Sequence, residues 1–272
     1  MQYLKVTFKI SGGERADMLM ALLSDAGYDG FEEMDNALFA YIQETAFSAE
    51  MLTEIAGAQG IDYETEIIAP QNWNALWESN FLPVIVADFC TIRAHFHDIK
   101  VATKYDIMIT PKMSFGTGHH ATTQLMIMFM KDMGLSGKQV LDFGTGTGVL
   151  AILAEMLGAK MVQAIDNDKW SVENATENCM RNHCKHIVVQ EGSLEDIGNV
   201  KFDIILANIN RHILLQYMTE LQTTLTPGGT ILMSGLLVED KEIVLNAAAD
   251  VGLRYMKMSE LNGWIVILFA KI

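Results

Sequence analysis

The residues best suited to chemistry lie in positions 140–150, which read V-L-D-F-G-T-G-T-G-V-L. An apolar run ending in Asp142 has the character of a buried strand, and an apolar helical pattern follows through Leu153 and Leu157. Between them stand Gly144, Gly146 and Gly148. Glycines there let the backbone approach a ligand closely, because no Cβ stands in the way. A second apolar run, residues 161–165, ends in Asp166, 22 residues after Gly144. A carboxylate at that strand end can accept hydrogen bonds from both hydroxyls of a ribose. The combination points to a cofactor that carries a nucleoside. Val149 holds the place where a dinucleotide fingerprint has its third glycine, so the spacing argues against NAD without excluding it.

Two polar constellations flank this loop. Residues 114–123 read S-F-G-T-G-H-H-A-T-T and precede a helical run at 125–133. Read functionally, this is a flap over the cofactor, with glycine hinges and hydroxyl donors facing it. Read locally, Thr122 or Thr123 caps the helix. Residues 203–210 read D-I-I-L-A-N-I-N, which places Asn208 and Asn210 at the carboxyl end of a strand. Ligands of open α/β sheets bind at such ends, although a plain turn uses the same residue types.

These residues need a scaffold, and from about 110 to 272 the pattern alternates strand and helix. Strands are expected at 139–142, 161–166, 186–191, 202–207, 230–234, 254–258 and 264–270. Helical stretches at 148–157, 171–182, 213–225 and 239–251 separate most of them. Such alternation implies an α/β fold, a mostly parallel sheet with helices on both faces. Only residues 259–263 part the last two strands, so they should form an antiparallel hairpin. Residues 1–69 carry strand patterns at 3–10, 37–42 and 63–68 and helical ones at 15–26 and 49–56. A βαββαβ-like order follows, which suggests a small ferredoxin-like α+β domain. Residues 70–109 read as an ordered connector, with a short helical pattern carrying Trp73 and Trp77 and strand-like pieces at 84–86 and 91–96.

Composition narrows the function classes. The formal charge of −15 disfavours a broad nucleic-acid surface and suits a basic protein partner. No run of about 18 apolar residues occurs, so no membrane span is expected. Three cysteines give no even-numbered disulfide framework, which suits a reducing cytoplasm. Cys179, His183, Cys184 and His186 match no standard zinc spacing, and no metal is expected. His95 and His97 alternate on an expected strand and read as a solvated face.

The glycine loop resembles that of class I S-adenosylmethionine-dependent methyltransferases. Together with the flap, the I-D-N-D at 165–168 and the A-N-I-N at 207–210, it is similar to the bacterial ribosomal protein methyltransferase family PrmA. The resemblance covers essentially the whole chain, and the flap is its discriminating element. It implies a Rossmann-like methyltransferase domain at 110–272, whose seven-stranded sheet closes with an antiparallel strand. It also implies that residues 1–69 recognise the substrate. The implied donor is S-adenosylmethionine, with S-adenosylhomocysteine as product and no metal. The implied acceptor is a basic ribosomal protein, protein eleven of the large subunit, free or on the ribosome. A cytoplasmic monomer without DNA or membrane contacts is expected. By the resemblance, cofactor contacts fall on Thr123, Gly144, Asp166 and Asn208, with Gly146 and Gly148 completing the loop. Phe115 from the flap joins them, and Glu195, after Ser193 and Leu194, falls where this class reads the adenine. The family commonly shows T-H-P-T-T where this chain has His119, His120 and Ala121, and N-I-L-A where Asn210 and Arg211 follow Ile209. Those departures bear on the acceptor channel.

Methyl transfer to an amine needs a free lone pair, and a lysine near its reference pKa is neutral in only about one molecule in a few thousand at pH 7. A carboxylate at the amine would favour the ammonium form and oppose reaction. The neutral amide of Asn208 avoids that penalty, which makes it the catalytic candidate. Two alternatives stay open: a methyltransferase of the same fold with another acceptor, and a binding module that keeps the cofactor without turnover.

Overall fold

The computed structural model describes residues 3–10, 13–34, 36–68, 81–112 and 114–272, which fall into two compact units, 1–80 and 81–272. The helical pattern around Trp73 and Trp77 lies outside the described residues.

In the first unit β1 (Tyr3–Phe8), α1 (Glu14–Asp25), β2 (Gly30–Met34), β3 (Ala37–Gln43), α2 (Ala49–Gln59) and β4 (Tyr63–Ile68) follow one another. The sheet is antiparallel in the order β2-β3-β1-β4, a ferredoxin-like arrangement. Period-two alternation buries Leu4, Val6 and Phe8 of β1 and Leu38, Ala40 and Ile42 of β3 under Leu19, Leu23 and Leu52 of the helices. The sequence pattern does not locate β2, because this edge strand reads G-F-E-E-M and buries no full apolar face.

The second unit begins with a three-stranded sheet of β5 (Val84–Val86), β6 (Cys90–Ala94) and β7 (Tyr105–Ile109). Helix α3 (Ala121–Met130) leads into β8 (Gln139–Phe143), α4 (Val149–Met156), β9 (Met161–Asp166), α5 (Lys169–Arg181) and β10 (Ile187–Glu191). β11 (Phe202–Asn208), α6 (Arg211–Gln216), α7 (Met218–Thr224), β12 (Leu225–Leu237), α8 (Lys241–Asp250), β13 (Leu253–Leu261) and β14 (Trp264–Lys271) complete it. The helix expected over 213–225 is thus two helices, broken at Tyr217. The large sheet has the order β10-β9-β8-β11-β12-β14-β13, with β14 antiparallel to both neighbours. The two-residue turn Asn262–Gly263 explains that reversal, since both residues have positive φ, 52° and 79°, as a type I′ hairpin requires.

Consecutive residues of each central strand serve opposite cores. Val140, Ile204 and Leu206 pack with α3 and α4, whereas Leu141, Ile205 and Ala207 pack with α7 and α8. Strands buried on both faces read as continuous apolar runs, and their polar residues, Asp142, Asp166 and Asn208, therefore stand out at or near their carboxyl ends.

Candidate active site

The carboxyl ends of β8, β9, β10 and β11 open into a cleft of about 620 Å³. Gly144 and Gly146 line it from the β8–α4 loop, Asp166 and Asn167 from β9, Gly192 and Ser193 from β10, and Asn208 to Asn210 from β11. Phe115, His120 and Trp264 form an aromatic wall: the His120 ring stands edge-on to Phe115 at 5.3 Å and to Trp264 at 4.6 Å.

The glycine loop is held by its own amides. Gly144 and Thr145 N–H both donate to the Ile165 carbonyl, at 2.9 and 3.0 Å. Thr147 N–H donates to the Phe115 carbonyl at 2.9 Å, and Gly146 N–H to Asp166 Oδ2 at 2.9 Å. A pyrophosphate-binding loop needs such N–H groups free, so this loop fits a nucleoside without a pyrophosphate. Gly146, at φ 56°, lies so close to the flap that a Cβ would strike the Phe115 carbonyl. A Cβ on Gly144 would strike Ile209. Gly148, at φ 80°, has another role: a Cβ there would press on Ala175 of α5 at 3.2 Å, so it sets helix packing and does not line the cleft.

Asp166 is half-buried, and each oxygen accepts one backbone N–H, from Gly146 (2.9 Å) and Asp168 (3.0 Å). Each keeps a second lone pair, and the carboxylate faces the cleft, oriented for a diol. One strand away, Asp142 is buried and accepts from the Thr145 hydroxyl at 2.6 Å. Burial raises its carboxyl to about 7, with the Thr145 hydroxyl and the Ala151 N–H pulling down and the Asp166 charge pushing up.

Asn208 ends β11. Its amide Nδ2 donates to the Thr123 hydroxyl at 3.4 Å, and its Oδ1 is buried with no hydrogen-bond partner among the described residues. A buried, unpaired amide oxygen at a cleft is an acceptor awaiting a donor. Thr123 itself is fully buried in α3 and lies behind Asn208, while Thr122 reaches the cleft. The cap of α3 is not a threonine: His120 Nδ1 accepts from Thr122 N–H at 3.3 Å, two or three residues earlier than the local reading expects. Glu195 is exposed and off the cleft; the neighbouring Asp196 shapes that turn by accepting from Ser193 N–H at 2.8 Å, and Ser193 lines the cavity.

Three contributors lack a sequence signal of their own kind. A Cβ on Gly235 of β12 would collide with the Ile209 carbonyl, so this glycine seats the loop after Asn208. Trp264 arrives from the hairpin. Asn174, Asn178 and Asn182 form a stripe along α5 at i, i+4, i+8. They bond Thr110 O (3.0 Å), Thr147 O (2.8 Å) and Met108 O (2.7 Å), bracing β7 and the glycine loop. The even spacing N-x₃-N-x₃-N stands in the sequence, but polar residues on one helix face carry no mark of what they meet. His97 is likewise not a solvated residue, since Nδ1 accepts from Ala94 N–H at 3.1 Å and Nε2 meets the Phe81 carbonyl at 2.5 Å.

The residues fit S-adenosylmethionine: a diol-oriented carboxylate, a loop closed to pyrophosphate, and an acceptor oxygen across an apolar wall. Among the described residues no group of three or more His, Cys, Asp or Glu could hold a metal ion, and no described helix is long and apolar enough to cross a membrane.

Comparison with known proteins agrees with this geometry. The family profile described as ribosomal protein L11 methyltransferase (PrmA) matches residues 19–272. The ribosomal protein L11 methyltransferase of Phocaeicola vulgatus is 38% identical, with 99% of each chain covered. That of Bacteroides fragilis is 39% identical over the same share of both chains. A crystal structure of ribosomal protein L11 methylase from Lactobacillus delbrueckii subsp. bulgaricus is 29% identical and superposes with a TM-score of 0.66, covering 71% of this chain and 100% of that one. A half-buried carboxylate facing the cleft, an unpaired amide and a match along nearly the full length converge on one assignment: the chain belongs to the ribosomal protein L11 methyltransferase (PrmA) family.

Proposed function

We propose that this chain transfers methyl groups from S-adenosylmethionine to amino groups of ribosomal protein L11, on lysine side chains, the N-terminal α-amine, or both. The observation that carries the reading is the buried Oδ1 of Asn208, a residue lining the cleft, which has no partner among the described residues. When bound, S-adenosylmethionine supplies a methyl group on a cationic sulfur that leaves as a neutral thioether. Asp166 holds the ribose hydroxyls, and the turn at Gly192 and Ser193 receives the adenine. Oδ1 of Asn208 accepts a hydrogen from the incoming amine, which turns the nitrogen lone pair toward the donor. Among the described residues Asp166 is the only acid lining the cleft, so none of them sets a carboxylate at the acceptor end to hold the amine as ammonium. Phe115, His120 and Trp264 give the apolar stem of a lysine a dry wall to lie against.

The net charge of −15 favours a basic ribosomal protein and repels nucleic acid. The reading assigns substrate docking to the N-terminal unit and describes a cytoplasmic monomer. Intact-mass measurement of L11, incubated with the protein and S-adenosylmethionine, tests it. Methyl-sized increments that disappear in Asn208→Ala support both acceptor and site. Cofactor binding without increments would leave the fold and discard L11 as acceptor.

A further inference from the structure

Helix α5 ends in a Schellman turn: Cys184 N–H donates to the Cys179 carbonyl and His183 N–H to the Met180 carbonyl, each at 3.0 Å. His183 takes the left-handed conformation that this turn requires, at φ 57°. Such a turn brings its first and sixth residues into side-chain contact, commonly an apolar one. Here both residues are cysteines, set side by side by the turn and packed on the same core. Cys179 is only 8% exposed and sits in the core behind α4, whereas Cys184 packs on that core with part of its surface open to solvent.

The two thiols are chemically unequal. The hydrogen bond from Cys179 holds Cys184 below the ordinary thiol range, against its burial and the charge of Glu155. The same bond and burial push Cys179 far upward. The Glu155 carboxylate is engaged by the N–H groups of Lys185 (2.8 Å) and His186 (2.9 Å). An accessible thiolate former thus lies against a buried partner, the usual arrangement of an attacking and a resolving cysteine.

We propose that Cys179 and Cys184 form a reversible intramolecular disulfide when the protein meets a hydroperoxide, with Cys184 attacking and Cys179 resolving. The Cys184 thiolate takes one peroxide oxygen, the O–O bond breaks, and hydroxide leaves to become water. The product at Cys184 is a sulfenic acid. The Cys179 sulfur then displaces that hydroxyl, the S–S bond forms, and a second water carries off the thiol proton. Two electrons pass from the thiol pair to the peroxide, and a dithiol returns them. The ring so closed contains Asn182 and abuts Asn178, which bonds the Thr147 carbonyl of the glycine loop, so oxidation marks the helix end that braces the cleft. The proposal is independent of the methyl acceptor.

The sequence supplies a clean readout, because trypsin cuts after Lys169, Arg181 and Lys185 and separates the two cysteines. The full-length protein is treated with hydrogen peroxide, alkylated and digested without reductant. The expected product joins peptide 170–181 to peptide 182–185, two hydrogens lighter than their sum, and dithiothreitol abolishes it. Intact mass should remain that of one chain. Cys90, fully buried with its thiol pushed up to about 12, should stay reduced as an internal control. In Cys179→Ser, Cys184 should stop at a sulfenic acid that dimedone captures; in Cys184→Ser, Cys179 should remain a thiol. Sulfinic acid at Cys184 without joined peptides in the unsubstituted protein would overturn the proposal, as would joined peptides found only in covalent dimers.

Discussion

The Asn208 amide donates to the Thr123 hydroxyl at 3.4 Å, which leaves the opposite end of the same side chain, Oδ1, buried and unpaired at the cleft. Thr123 lies in α3 and Asn208 at the end of β11, so a helix that follows the flap decides which way the strand's amide faces. On the proposed reading Thr123 acts through Asn208, while Asn208 meets the acceptor.

Asn208→Ala should reduce kcat about 10- to 100-fold, the loss expected for one hydrogen bond to a strongly polarised group. Thr123→Val removes the support alone and should cost roughly 10-fold at unchanged cofactor affinity, with Thr123→Ser restoring the rate. Initial rates on L11 together with calorimetric S-adenosylmethionine affinities separate the two roles. Full turnover by Asn208→Ala would remove this amide from the mechanism.

Asn208→Asp is nearly isosteric but brings a carboxylate to the amine. Because that charge favours ammonium, the rate near pH 7 should drop and the pH–rate profile should move to higher pH. A profile that falls without moving would argue that Asn208 only fills space.

Gly146→Ala combines left-handed backbone strain with a collision at the Phe115 carbonyl. Gly137, at φ 74° with open space around it, provides the control for strain alone. Strain of about 1–3 kcal/mol should lower Tm by several degrees in both variants. Only Gly146→Ala should also displace the flap, so only it should lose measurable cofactor binding. Equal affinities in the two variants would contradict the close contact.

Asp142 makes the fold pH-sensitive. With its carboxyl raised to about 7, the folded protein keeps a proton between roughly pH 4 and 7 that the unfolded chain has lost. Stability therefore falls as pH rises through that window, by on the order of 4 kcal/mol if this group acted alone. Asp142→Asn cannot ionise, and its Tm should decline less between pH 5 and 8. Glu177, lowered to about 2 by Lys112 and Arg181, acts below that interval and leaves the comparison undisturbed. Parallel Tm curves for the two proteins would refute the assignment.

Polar residues that interrupt apolar runs were legible in the sequence, and those runs are apolar because the central strands are buried on both faces. Gly144, Gly146, Asp166 and Asn208 were readable for that reason, and they meet at one cleft. Contributions made across long separations were not. Trp264 lines the cleft only because β14 inserts between β12 and β13, and Gly235 matters only because the Ile209 carbonyl crosses it. Neither is announced by its neighbours in the chain. Glu195 was placed by analogy one residue from the acid that shapes its turn, since an exposed 3₁₀ turn carries no periodicity to fix register. The asparagine stripe of α5 is hidden for another reason: its residues are polar yet inward, because their amides bond the backbone of β7 and Thr110.

The sheet order also has a consequence for biosynthesis. β14, residues 264–271, is made after every other strand of the large sheet yet occupies an interior place, pairing with β12 on one side and β13 on the other. Until it emerges from the ribosome, β12 has no partner on that flank and Trp264 is absent from the aromatic wall. A nascent chain that stops short of residue 264 therefore holds an open place in its large sheet and a cleft without one side of its aromatic wall.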